Sequence, residues 1–151
     1  MAAITATAAR MGHNTIRNAS AQATTGQVDW VWVPRNARFC SVYLNFTATA
    51  GNTPIITPSF LAADPVGQLD TEVINVAEHA GLTGITAVNQ YVFDIGPGVT
   101  GIANDTTNSA SADSYVSLNA ILPTLMGFKL VLDRTSGDET YTYTLSARFT
   151  A

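Results

Sequence analysis

The stretch that most constrains the fold is 140–150, where Tyr141, Tyr143, Leu145, Ala147 and Phe149 alternate with Thr140, Thr142, Thr144, Ser146 and Arg148. Successive side chains of a strand point to opposite faces, so a sustained period of two is a half-buried strand and fits no helix. Phe128, Leu130 and Leu132 repeat the spacing across 128–133. Between the two runs, Thr135-Ser136-Gly137-Asp138 supplies a glycine for a left-handed turn position. The pair reads as a β-hairpin.

The same period recurs upstream. Over 39–49, Val42, Leu44 and Phe46 face away from Ser41, Tyr43, Asn45 and Thr47, and over 90–95 Tyr91, Phe93 and Ile95 oppose Val92 and Asp94. Residues 28–33 are apolar on both faces after Asp29, with Trp30 and Trp32 on one side and Val31 and Val33 on the other; Pro34 ends the run. After the turn at 50–52, residues 53–61 read as a returning strand that Pro54 and Pro58 confine to an edge or a bulge. Shorter strands are expected at 72–77 and at 114–122, before Pro123, with glycine- and proline-rich punctuation at 63–67, 78–84 and 96–98. Seven or eight such strands without a convincing helix predict an all-β fold, an antiparallel β-sandwich or jelly roll, with a core of Val42, Leu44, Phe46, Phe93, Leu130, Leu132, Leu145 and Phe149.

Residues 1–26 differ in kind. They are rich in Ala, Thr, Asn and Ser, carry only Arg10 and Arg17 as charges, and hold no apolar period; Ile4, Met11 and Ile16 are too few for a core. The sequence therefore divides into an extended N-terminal arm, 1–26, and a sandwich domain, 27–151. The arm is expected to be disordered alone and ordered across a neighbouring subunit, where Arg10 and Arg17 would meet acidic partner residues. Charged residues are 12% of the chain, about half of the ~25% usual in soluble domains. A polar but uncharged surface suits strands that end against another protein. The formal charge of −4 argues against nucleic acid as a partner, and no run approaches the ~20 apolar residues that span a bilayer. Residues 1–10 lack the pattern of a signal peptide, so the protein is expected to be made in the cytoplasm and used without secretion by that route.

Chemistry-bearing motifs do not accumulate. The lone Cys40 excludes an internal disulfide and a multi-cysteine zinc site, and reads as a buried small hydrophobe. His13 lies in the arm. His79 follows Glu78 near Asp64 and Asp70 in sequence, at a spacing that matches no ligand pattern. Asp133 and Glu139 flank a turn, and Asn104, Asp105 and Asp113, in a long polar loop over 99–113, lack the glycine and terminal Glu of a calcium loop. No catalytic, metal or cofactor-binding residue is assigned, and no cofactor is expected. Trp30 and Trp32 leave three readings open: a cap on the core, an anchor for a protein partner, or a platform for a sugar ring. The candidate partner and oligomer contacts are Ile4, Arg10, Met11, Ile16, Arg17, Trp30 and Trp32.

The order of elements carries a resemblance. The arm is followed by Gly26-Gln-Val-Asp-Trp-Val-Trp-Val-Pro34 and then by Ser41-Val-Tyr-Leu-Asn-Phe-Thr-Ala-Thr-Ala-Gly-Asn-Thr-Pro54. The chain closes on Leu122-Pro123, an amphipathic strand, a Thr-Ser-Gly turn and a Tyr-Thr-Tyr-Thr strand. Over about residues 26–150 this resembles the small β-sandwich decoration, or cement, proteins of tailed bacteriophage capsids. The resemblance implies a non-enzymatic virion protein at the capsid surface. It would be a homo-oligomer, often a trimer, seated on the major capsid protein of the shell. A tail or head-fibre component uses similar folds. From another class, a carbohydrate-binding β-sandwich module would need Trp30, Trp32 or Tyr91 exposed together on a concave face.

Overall fold

The computed structural model describes residues 4–22, 28–50, 55–63, 65, 73–78, 82–83, 89–99, 114–133 and 140–151. Among them the chain forms eleven strands and no helix: β1 (Ala6–Ala8), β2 (Gly12–Gln22), β3 (Val28–Trp32), β4 (Phe39–Ala50), β5 (Ile55–Ala63), β6 (Val73–Glu78), β7 (Leu82–Thr83), β8 (Asn89–Gly96), β9 (Ser114–Asn119), β10 (Leu125–Asp133) and β11 (Thr140–Thr150). One sheet runs β1-β3-β10-β5-β6, with β7 also on β5; the other runs β2-β11-β4-β8-β9. Only β1–β3 and β8–β9 pair in parallel. Two mostly antiparallel sheets share one core, an arrangement compatible with a β-sandwich.

The period-two faces meet in that core. Val42, Leu44 and Phe46 of β4, Tyr91, Phe93 and Ile95 of β8, and Tyr141, Tyr143, Leu145 and Phe149 of β11 are buried in one cluster with Val31, Phe60, Met126, Phe128 and Leu130 of the other sheet. Seven of the eight expected core residues lie in it; the side chain of Leu132 is outside the described residues. Phe60 joins the layers, its ring 5.5 Å from that of Phe93 and 6.1 Å from that of Phe128. Phe46 makes an edge-on contact with Tyr141 at 5.5 Å. Cys40 is buried in the same cluster, as expected of a small hydrophobe.

Three expectations are corrected. The hairpin is absent: β10 pairs with β3 and β5, while β11 pairs with β2 and β4 in the opposite sheet. Both strands carry a large apolar face, and these faces oppose each other across the core instead of lying side by side. Of the two expectations for β5, an edge or a bulge, the edge is not met, since it pairs with β10 on one side and with β6 and β7 on the other. Its ladder with β6 carries a register irregularity between Phe60 and Leu61. Among the described residues none of the second ladder pairs with Pro58, which lacks an N–H to donate: β7 pairs with Ile55 and Ile56, β6 with Ser59 onwards.

The arm is the third correction. Described residues on both sides of the expected boundary at 26/27 belong to the same two sheets: β1 pairs with β3, and β2 with β11 along most of its length. The arm's weak apolar signal is that of an edge strand, which buries few side chains. Irregularities in register on both sides of Leu145 blur the period further, so that neighbouring Ile16 and Arg17 both engage the interior, Ile16 against the core and Arg17 on Asp29 of β3.

Candidate functional site: an open edge and an arginine-bearing end

The first edge of the sandwich is built around a corner. Ala9 N–H donates to Trp32 O at 3.0 Å, holding β1 against β3 to its last residue. The chain then crosses to the other sheet through Arg10 and Met11. Gly12, with φ of +91°, takes a left-handed backbone there that other residues rarely adopt. Asn14 fixes the corner: its Oδ1 accepts from Arg10 N–H at 2.9 Å, and its Nδ2 donates to Arg10 O at 2.8 Å and to Gly12 O at 3.0 Å. Beyond the corner, β1 and β2 are the outermost strands of their sheets and flank an open cleft of about 280 Å³ lined by Thr5, Thr7, Ala8, Asn14, Thr15 and Ile16, with β3 at its back.

Asp29 also lines the cleft, and Arg17 of β2 is bonded to it. Arg17 Nε donates to Asp29 Oδ2 at 2.8 Å and its Nη2 to Oδ1 at 2.5 Å, with side chains only 15% and 22% exposed. This two-pronged bond ties β2 of one sheet to β3 of the other and raises the Arg17 pKa, the hydrogen bond to Asp29 outweighing the opposing cost of burial. Burial likewise pushes up the nearby Tyr143 hydroxyl and, with the charge of Asp94 adding to it, the Cys40 thiol.

Several connections meet at one end of the sandwich. The registers Ala8↔Trp32↔Leu125 and Phe149↔Cys40↔Ile95 bring the corner together with segments 33–38, 97–99 and 120–124. This end is pinned by backbone bonds: Val33 N–H to Thr124 O and Arg38 N–H to Thr150 O, both 2.9 Å, and Ala120 N–H to Gly96 O at 3.2 Å. Gly98 N–H donates to Asn119 Oδ1 at 2.8 Å. Arg10, Arg35 and Arg38 are exposed on it, with the Arg38 guanidinium 5.9 Å from the Phe39 ring centre. The two exposed large hydrophobic side chains among the described residues, Met11 at 44% and Ile121 at 80%, lie here too. Val33, Pro34, Arg35 and Ala37 face Leu122 and Pro123 across a shallow cleft of about 350 Å³.

Of the seven sequence-derived contact residues, only Arg10 and Met11 are exposed. Ile16 and Arg17 are engaged inside. Ile4 packs with Ala63, Leu125, Trp30 and Trp32 in a second apolar cluster. Because Val31 points into the main core, its neighbours Trp30 and Trp32 sit on the outer face of their sheet, half-buried. They neither cap the core nor stand free. Tyr91 is fully buried in the core, so it shares no concave aromatic platform with them. Sequence reasoning missed Asp29, Arg35, Arg38 and Ile121. Asp29 interrupts an otherwise apolar strand, which was a usable signal; single exposed loop residues give none.

Among the described residues no three His, Cys, Asp or Glu side chains lie together as a metal site would require, and no helix is long and apolar enough to cross a membrane. His79, Asp64, Asp70, Asn104, Asp105, Asp113 and Glu139, and the side chains of Glu78 and Asp133, lie outside the described residues. No protein-family model, curated protein or solved structure matches the chain.

Proposed function

We propose that this is a non-enzymatic structural protein of a tailed-phage virion, a decoration or cement protein that binds the major capsid protein shell as a homo-oligomer, with a trimer favoured. The observation that carries the reading is the unguarded first edge. Monomeric sandwiches protect long edge strands with lysine, proline or inward charge, because unpaired backbone groups recruit other chains. β2 has neither lysine nor proline, and its inward charge, Arg17 paired with Asp29, guards the middle of the strand and leaves Gly12–Thr15 without any of these devices. Its register irregularities leave Gly12–Thr15 as a regular segment available to a neighbour.

The strand order supports the same reading. β2-β11-β4-β8 in one sheet and β3-β10-β5-β6 in the other follow the interleaved order of a jelly roll, an architecture used by viral capsid proteins among others. The arm of the sequence reading becomes, in this proposal, the assembly edge itself. Light scattering of the purified chain should give a trimer at micromolar concentration, and Thr15→Lys, which places a charge on the exposed edge, should yield folded monomers. Incubation with undecorated shells should show saturable binding at a fixed ratio to the major capsid protein. A monomeric wild-type chain that also fails to bind shells overturns the proposal.

A further inference from the structure

The arginine-bearing end gathers features that a solvent-facing end does not need. Arg10, Arg35 and Arg38 are exposed there on a chain of net charge −4. The only ion pair among the described residues is Arg17–Asp29, so none of the three is matched by a described carboxylate. Ile121, next in the chain to the Leu122–Pro123 wall of the cleft, has 80% of its surface in water. The hydrogen bonds of 33–38 and 120–124 hold this surface in shape before any partner arrives, which lowers the ordering cost of binding.

We infer that this end is a docking surface for an acidic segment of another protein that carries a large apolar residue among its carboxylates. Guanidinium groups pair with carboxylates through two parallel hydrogen bonds, and the cleft walls of Val33, Pro34, Leu122 and Pro123 admit an apolar side chain beside Ile121. A nucleic acid would satisfy the arginines but leave Ile121 and the proline walls without a partner, and the net negative charge of the chain would repel it. Exposed charge pairs contribute little individually, so the apolar anchor sets the selectivity and the arginines set the salt dependence. The inference concerns the chemistry of this end and does not rest on the virion reading.

The test uses the full ¹⁵N-labelled chain and three probes: a synthetic peptide of alternating Glu and Asp around a central Leu-Phe pair, the same peptide with Gln and Asn in place of the acids, and a short single-stranded DNA. The acidic peptide should shift the amides of 33–38 and 120–124. Arg35→Gln with Arg38→Gln should weaken it about tenfold, and Ile121→Ser should weaken it several-fold while leaving the melting temperature unchanged. The amide peptide should not bind. No binding, shifts centred on β2, tighter binding of the DNA, or an Ile121→Ser affinity equal to wild type would each overturn the inference.

Discussion

Gly127→Ala tests whether the outer-face cluster is a packed structure. Gly127 stands on β10 opposite Trp30 on one side and Leu61 on the other, and the Trp30 indole lies across it. A Cβ built there would come within 2.8 Å of Val28 Cγ1 and 2.9 Å of both Trp30 Cη2 and Cζ3. Carbon atoms in contact prefer about 3.5–4.0 Å, so the ring must retreat by roughly 0.6 Å or more. Overpacking of this kind costs about 1–3 kcal/mol, while removing a glycine from a strand interior returns about 0.5–1 kcal/mol. The net loss should be about 0.5–2 kcal/mol, a fall in Tm of roughly 1–8 °C for a chain of this size. Thermal unfolding followed by far-UV circular dichroism measures it. In a Trp30→Ala background, at least half of the penalty should disappear, because only the Val28 contact remains. An equal penalty in both backgrounds, or a stabilised single variant, would show that the indole does not lie where the argument needs it.

Three further outcomes are expected. Asp29→Asn, which strips the charge from a largely buried Arg17 partner, should destabilise by about 1–3 kcal/mol, and Arg17→Met with Asp29→Leu should cost less than either single change in a urea-unfolding cycle. Leu44→Ala, at a position 1% exposed, should cost about 2–5 kcal/mol by the same assay. The Tyr143 hydroxyl and Cys40 thiol are both raised by burial from their ordinary values of 10.0 and 9.0. Each therefore contributes stability that is complete below the ordinary value and is lost as pH climbs toward the folded one. The melting temperature should hold to about pH 9 and fall above it, and Tyr143→Phe should flatten part of that slope.

What the chain reveals of itself follows from what periodicity encodes. The spacing of Val42, Leu44 and Phe46, or of Tyr91, Phe93 and Ile95, fixes which side chains share a face, and those faces are buried as read. Periodicity does not encode which strand lies beside which. Residues 125–133 and 140–150 are successive and both amphipathic, a pattern that serves neighbours in one sheet and opponents across a core equally well. Edge strands are harder still: β2 was illegible because a single large apolar residue, Ile16, stands among its small and polar ones and the register shifts beside Leu145. At the candidate surfaces, Arg10 and Met11 are exposed, and no period had claimed them. Arg35, Arg38 and Ile121 become a set only when the ends of β1, β3, β8, β9 and β11 arrive together, which is decided by long-range pairing.

The strand order also dictates when the molecule can exist during synthesis. β10 fills the place between β3 and β5, and β11 the place between β2 and β4. Both interior positions thus belong to the last two described strands in chain order. Until they emerge, the first half of the chain has flanking strands but no middle in either layer. Folding therefore waits for β10 and β11 and is dominated by contacts between distant parts of the chain, which slows it relative to locally wired folds. A nascent chain halted before Leu125 would expose the inner faces of β3, β4 and β5 together.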